Sequence, residues 1–261
     1  MSIAAAPASG EPGTVRERSS QSLAAPAWSW PGDLLTLNER FGCGHPFPHL
    51  VLDDVFDPSQ LMLLHSEVPD PGSDFWTLWG SGGEEYCGPL NRKRGISTLL
   101  LLGEATARFL RLLNSKAFVA DVREITGESE LCVDHTFNGG GLHCTGRGGR
   151  LHVHADKVRH PRPAKFDQAI NLILFLQPYW REDWGGELEF WSRDAREKCA
   201  SVSPRFNRLV LFRSDRESFH GHPEPVACPE GVYRTSLAVY YYRPRPETLS
   251  TGLPNEIDWR N

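Results

Sequence analysis

The sequence predicts a mainly β protein: a jelly roll with helices packed against it from the N-terminal half. Three observations carry this reading. After Gly127, short β-rich runs separated by Gly, Pro and Asn continue to about residue 243. That spacing belongs to a sandwich or barrel. No βαβ alternation and no internal repeat interrupts it. Before Gly127, two stretches carry apolar residues at helical spacing.

Taken in order, residues 1–29 are rich in Ala, Ser, Pro and Gly without a hydrophobic period, and read as a disordered tail. The remainder, 30–261, reads as a single domain. His45 to Phe56 holds two prolines within an apolar run, so it is expected as an edge strand. Asp57-Pro58 reads as a helix cap followed by proline at the first helical position. Leu61, Leu64, His65 and Val68 form one face of that helix, and Pro69 stops it. A second helix is expected from about Glu104 to Ile125, with Phe109, Leu112, Leu113 and Ala117 on one face and Thr126-Gly127 at its end. Strands are expected at about 130–138, 151–156, 168–177, 186–191, 208–213, 218–222 and 233–243, a jelly-roll core of about 130–243.

Composition excludes several classes. The 261 residues are 39% hydrophobic, enough for a buried core. A net charge of -5 gives no broad basic field, which argues against a dedicated nucleic-acid binder. Uninterrupted apolar runs such as Leu172 to Leu176 are far short of the ~20 residues that cross a bilayer. Six scattered cysteines without a CxxC pair, and no secretory signal, predict a reduced cytoplasmic protein.

The chemistry is concentrated in three places. In Leu151-His-Val-His-Ala-Asp156, residues two apart on a strand share a face, so His152, His154 and Asp156 point the same way. Ser218-Phe-His-Gly-His222 follows the apolar strand Leu209 to Phe212 and supplies a distant histidine. His-x-Asp plus one distant His is the facial triad of non-haem Fe(II) oxygenases, which leaves three metal positions for cosubstrate and O2. In Tyr233-Arg-Thr-Ser236, Arg234 and Ser236 share one strand face, while Thr235, Leu237, Val239 and Tyr241 take the other. An arginine beside a hydroxyl can hold a carboxylate through charge-assisted bonds.

The ordered set His-x-Asp, Gly-Gly-Glu-Leu, Pro-Arg-Phe-Asn-Arg-Leu-Val-Leu-Phe, Phe-His-Gly and Arg-x-Ser resembles the Fe(II)- and 2-oxoglutarate-dependent dioxygenases, most closely their prolyl 4-hydroxylase-like branch. The resemblance covers about Glu130 to Arg243, and more faintly His45 to Pro58, and implies a double-stranded β-helix fold. It implies His154, Asp156 and His220 as catalytic Fe(II) ligands, with Arg234 and Ser236 binding the distal carboxylate of 2-oxoglutarate. O2 is the implied second cosubstrate, and ascorbate a candidate stimulant. The retained Asp156 favours hydroxylation over halogenation. The implied reaction hydroxylates a C–H bond of an amino acid, peptidyl residue or small metabolite, releasing succinate and CO2.

This sequence departs from the branch in two ways. Arg234 stands where prolyl 4-hydroxylases commonly have lysine. Thirteen residues separate His220 from Arg234, the extra length lying in Gly221 to Val232. Arg243 is therefore a rival for the carboxylate, and His222 a rival for the third iron position. Two other readings compete with the dioxygenase: a cupin-type metalloenzyme using His152 and His154 without 2-oxoglutarate, and a non-catalytic jelly-roll binding module. Around the motifs, Gly139 to Cys144 and Gly146 to Gly149 are expected as a loop over the iron. Asp134, His135 and His143 are candidate substrate contacts, and Trp180, Trp184 and Trp191 are expected mainly to pack. Asn171 faces either the cosubstrate or a backbone group. Residues 70–95, with Trp76, Trp79, Tyr86, Arg92, Lys93 and Arg94, are expected to vary with substrate, and their charge fits an anionic one. No motif names the substrate or the oligomeric state.

Overall fold

The computed structural model describes residues 27–78, 93–156, 159–160, 165–245 and 257–260. Residues 1–26 of the expected tail 1–29, and Trp79, Tyr86 and Arg92, lie outside them; the tail's last residues are ordered instead, Trp28 bridging to Phe56 and donating to Asp121.

Helix α1 (Leu34–Gly42) starts at Asp33, whose carboxylate accepts from the Thr36 amide. Strand β1 (His49–Asp53) leads to α2 (Pro58–Ser66), capped by Asp57 as the sequence requires. The hairpin strands β2 (Thr77–Leu78) and β3 (Lys93–Ile96) follow. The helix expected over 104–125 is two helices, α3 (Glu104–Leu113) and α4 (Lys116–Thr126). Asn114 ends the first, and the Ser115 hydroxyl accepts from the Phe118 amide to start the second. The restart shifts the apolar phase, so Phe118 and Val119 are buried while Ala117 is exposed. Helix α3 has glycine at its cap position, and Glu67 from beyond α2 serves instead, accepting from the Ala105 and Thr106 amides.

The strands then run as β4 (Cys132–Val133), β5 (Gly141–Thr145), β6 (Leu151–Ala155), β7 (Phe166–Phe175), β8 (Leu188–Trp191), β9 (Lys198–Val202), β10 (Arg208–Arg213), β11 (His220–His222), β12 (Arg234–Pro244) and β13 (Asp258–Arg260). One sheet has the order β1-β10-β7-β12-β5-β3-β2, with β4 also on β12. The second has the order β13-β6-β11-β8-β9. All pairings are antiparallel, and the two sheets form the expected double-stranded β-helix. β1 lies at a sheet edge, as Pro46 and Pro48 just before it predict.

Two expectations are corrected. Only Cys132 and Val133 of the run 130–138 are strand. Beyond them the Asp134 carboxylate accepts from Thr136 and Asn138 amides and closes a turn. Gly139 to Cys144 is no loop over the site either. Gly141 onward is strand β5, because close approach replaces a side chain: a Cβ on Gly141 would stand 2.2 Å from the Ile96 carbonyl oxygen.

The large sheet separates two apolar layers. Its outer face, with Leu172, Leu174, Leu209, Leu211, Leu237, Val239 and Tyr241, packs on the helices through Leu37, Phe109, Leu113, Phe118 and Val122. The Tyr241 hydroxyl donates to the Leu113 carbonyl at 2.7 Å. Its inner face meets the smaller sheet through Phe47, Phe175, Phe190, Val210 and Phe212.

Candidate metal centre and cosubstrate pocket

Strands β6 and β11 pair with His154 opposite His220, which brings the two imidazoles within 4.5 Å, centre to centre. Asp156 follows two residues after His154. The Nε2 of His154 lies 3.4 Å from Asp156 Oδ1, and the Nε2 of His220 3.7 Å from Asp156 Oδ2. Ligand atoms of these three residues all lie within 4.8 Å of one another.

The backbone sets the imidazole tautomers. His154 Nδ1 lies 2.8 Å from the His152 carbonyl oxygen, and His220 Nδ1 2.9 Å from that of Ser218. A carbonyl only accepts, so each Nδ1 carries the proton and each Nε2 presents a lone pair toward Asp156. Two neutral imidazole nitrogens and a carboxylate form a donor set that suits Fe(II). Burial pushes the His220 imidazole down to about 4, reinforced by His154 and opposed by Asp156. Burial alone would raise the Asp156 carboxyl, but His220, His154 and the Asn171 amide outweigh it and hold it well below the usual range.

Asp156 is oriented from β7. The Asn171 amide donates to its Oδ2 at 2.7 Å and the Gln168 amide at 3.0 Å, and Gln168 also donates to Asn171 Oδ1. Residues three apart on a regular strand face opposite ways. Here the pairing with β12 skips Ala169, since Tyr241 faces Ile170 and Tyr242 faces Gln168. The bulge turns Gln168 and Asn171 to one side. Asn171 thus serves the candidate ligand, and Gln168 is a site residue that period-two reasoning misses. On the other flank, Trp259 of β13 lies over His154 with ring centres 4.7 Å apart and 30° between planes.

The inner face of the large sheet forms the neighbouring pocket. Lys93 on β3, Thr145 on β5 and Arg234 on β12 form one row; Gly95, His143, Ser236 and Phe175 form the next. Arg234 is 6% exposed. Its Nε donates to the Gly186 carbonyl at 2.6 Å and its guanidinium lies 4.8 Å from the Phe175 ring centre. No carboxylate among the described residues pairs with it. Burial pushes this guanidinium down from 12.5 to about 10, with only Glu187 opposing. A buried, unpaired cation beside Ser236 fits the carboxylate of a cosubstrate. The thirteen-residue connection does not displace Arg234, because it is pinned: Val226 exchanges backbone bonds with Gly148 and Gly149, and the Ala227 amide donates to the Trp184 carbonyl.

The rivals fall elsewhere. Arg243 is at the surface with Glu128, 2.8 Å away. His152 stays outside the ligand cluster, since a bulge between the His220–His154 and His222–Leu151 pairs breaks the alternation of β6. His222 is buried but is likewise outside the cluster; burial, Arg234 and Lys93 push its imidazole well below the ordinary value. Burial and Lys93 do the same to His143, whose Nε2 lies 3.1 Å from the Gly139 carbonyl oxygen. Asp134 is committed to its turn and to His160, 3.5 Å away, and His135 is exposed. Trp180 and Trp184 pack edge to face around the Gly185-Gly186 turn, and Trp191 donates to Glu189. Lys93 faces the site, whereas Arg94 pairs with Cys144 on the opposite face.

Residues 140–242, the stretch that holds the triad and Arg234, match the family model of the 2OG-Fe(II) oxygenase superfamily. The resemblance read from the sequence stands. Among curated proteins, the mouse (Mus musculus) prolyl 3-hydroxylase OGFOD1 is 34% identical over 86 residues. That alignment takes in 30% of this chain and spans only 15% of the mouse protein's length. Among solved structures, a Pseudomonas putida prolyl-4-hydroxylase aligns with 82% of this chain and 100% of its own, at 16% identity and TM-score 0.54. A Trichoplax adhaerens prolyl hydroxylase, in complex with a hypoxia inducible factor oxygen degradation domain peptide fragment, aligns with 80% and 90% at 15% identity and TM-score 0.52. At these identities the structural likeness establishes the fold.

Proposed function

We propose that the chain is an Fe(II)- and 2-oxoglutarate-dependent dioxygenase that hydroxylates a C–H bond of an amino acid, peptidyl residue or small metabolite. The observation that carries this reading is the juxtaposition of a two-histidine, one-carboxylate cluster with the buried, unpaired Arg234. His154, Asp156 and His220 would hold Fe(II). Bound there, Fe(II) supplies the O2 activation that couples decarboxylation of 2-oxoglutarate to hydroxylation. Asn171 and Gln168 keep Asp156 aimed. Arg234 and Ser236 hold the distal carboxylate of 2-oxoglutarate and so orient its 2-oxo end toward the metal. Phe175, Phe190 and Phe212 close the floor of the site against water.

The relatives named above are prolyl hydroxylases, which puts peptidyl proline first among substrates to try. A cytoplasmic location belongs to the same reading: Cys43, Cys132, Cys144, Cys199 and Cys228 are all free thiols. Among the described residues no helix is long and apolar enough to cross a membrane.

The test is succinate formation from 2-oxoglutarate by the full chain with Fe(II), ascorbate and O2. Slow turnover, reduced to background in His154→Ala and His220→Ala, is the expected result. Absence of both turnover and Fe(II)-dependent 2-oxoglutarate binding would leave the cupin or binding-module reading in its place.

A further inference from the structure

We propose that His222 is a third donor to the distal carboxylate of 2-oxoglutarate, its Nδ1–H completing a cradle with Arg234 and Ser236. The inference rests on the 2-oxoglutarate reading above and assigns a residue of that pocket outside the iron-ligand set.

His222 is 4% exposed, and its Nδ1 has no hydrogen-bond partner among the described residues. Buried polar atoms are almost always bonded, so an orphan in the wall of a pocket points to a ligand. The neighbouring charged groups are Arg234 and Lys93, and Arg234 is buried with no carboxylate paired to it among the described residues. A guanidinium only donates. One acceptor placed between them would satisfy both donors, and a carboxylate has lone pairs for both and for the Ser236 hydroxyl. The charges fit as well. Arg234 and Lys93 already supply positive charge there, and a neutral imidazole adds a bond without burying a further cation.

The strand explains why this histidine and not the other holds the carboxylate. β11 pairs His220 with His154 at the metal cluster. The bulge then carries the strand on, so that His222 pairs with Leu151. Three residues of one short strand thus serve both ends of one cosubstrate. Three donors at the far end would make the pocket discriminate strongly for a 2-oxo acid with a second carboxylate.

The test uses the Fe(II)-loaded full chain under anaerobic conditions, following the visible charge-transfer band. 2-Oxoglutarate is compared with 2-oxobutyrate, which lacks the distal carboxylate, for wild type, His222→Leu and His222→Asn. His222→Leu should bind 2-oxoglutarate about 10- to 100-fold more weakly, the range for a hydrogen bond to a charged group. Its affinities for 2-oxobutyrate and for Fe(II) should be unchanged, and His222→Asn, which keeps a donor, should recover part of the loss. Undiminished 2-oxoglutarate affinity in His222→Leu, or an equal loss for both acids, overturns the proposal. A wild type that binds Fe(II) but no 2-oxoglutarate overturns the dioxygenase reading itself, a different outcome from a loss confined to the variants. Should His222→Leu fail to fold, the Zn(II)-loaded wild type with isotope-labelled histidine gives the same answer by NMR. An Nδ1–H signal of His222 protected from exchange on adding 2-oxoglutarate supports the proposal; an unaltered one refutes it.

Discussion

Replacing Arg234 with methionine should leave the metal-free protein as stable as wild type, or slightly more so, while abolishing its response to 2-oxoglutarate. Burial holds the guanidinium at about 10 rather than 12.5. At about 1.4 kcal/mol per pH unit, keeping it charged in the fold costs about 3 kcal/mol. The sign follows from the direction: a cation whose folded value is depressed destabilises the fold at every pH below about 10. Methionine removes that cost. It also loses the bond from Nε to Gly186 and the contact with the Phe175 ring, together about 2 kcal/mol. The balance is about 1 kcal/mol in favour of the variant, whereas truncating an ordinary buried side chain costs about 2–5 kcal/mol. Thermal denaturation reads this directly, at about 2–4 °C per kcal/mol for a chain of this size. With Fe(II) present and 2-oxoglutarate at 100 times its Kd, wild type should gain about 2.7 kcal/mol and the variant nothing. The order of the two melting temperatures should therefore reverse on adding cosubstrate. A metal-free variant melting more than about 5 °C below wild type would show that Arg234 is structural. Equal stabilisation of both by 2-oxoglutarate would show that it does not bind the carboxylate.

Three further outcomes are expected. Asn171→Leu leaves Asp156 Oδ2 with Gln168 alone and should weaken Fe(II) binding about 10- to 100-fold, as for other supporting partners of metal ligands; unchanged affinity in a chelator competition would count against that role. Gly186 has φ +78°, and a Cβ there would stand 3.2 Å from Arg234 Cδ and from Val226 Cγ2. Gly186→Ala should thus cost about 1–2 kcal/mol from the backbone alone and weaken 2-oxoglutarate binding; calorimetry showing full affinity would refute the second part. Finally, His220 is held at about 4 against 6.5 in the unfolded chain, so its neutral form is favoured by folding. The stability of the metal-free protein should be complete above pH 6.5 and fall toward pH 4, by about 2 kcal/mol at pH 5 from this group. His143 and His222 shift in the same direction and add to the fall. The depressed Asp156 acts only below its ordinary 3.8, outside this window. Equal denaturant midpoints at pH 7.5 and 5 would contradict the assignment.

The sequence by itself determined whatever depends on neighbours a few residues apart. Strand periodicity put His154 beside Asp156, and separated Arg234 and Ser236 from the core-facing Leu237, Val239 and Tyr241. Asp57-Pro58 fixed the start of α2, and Asp156 in place of a small residue kept the ligand set whole. Only the tertiary structure decided matters that depend on a distant partner. Gln168 and Asn171 reach the same carboxylate because β12 forces a bulge at Ala169, and no pattern within β7 announces it. Arg243 stays a weaker rival to Arg234 as carboxylate holder until β12 is placed, which sends Arg243 to Glu128 at the surface and buries Arg234. His220 and His222 are two residues apart and alike in composition, yet the bulge against β6 takes one to the metal cluster and the other to Arg234. The glycines before Leu142 read as a loop because glycine is weak in strands; the Ile96 carbonyl packed against Gly141 makes them obligatory. Local preferences are set by backbone sterics along the chain. A bulge or a register is set by pairing between strands far apart in sequence, and that energy is absent until the sheets have formed.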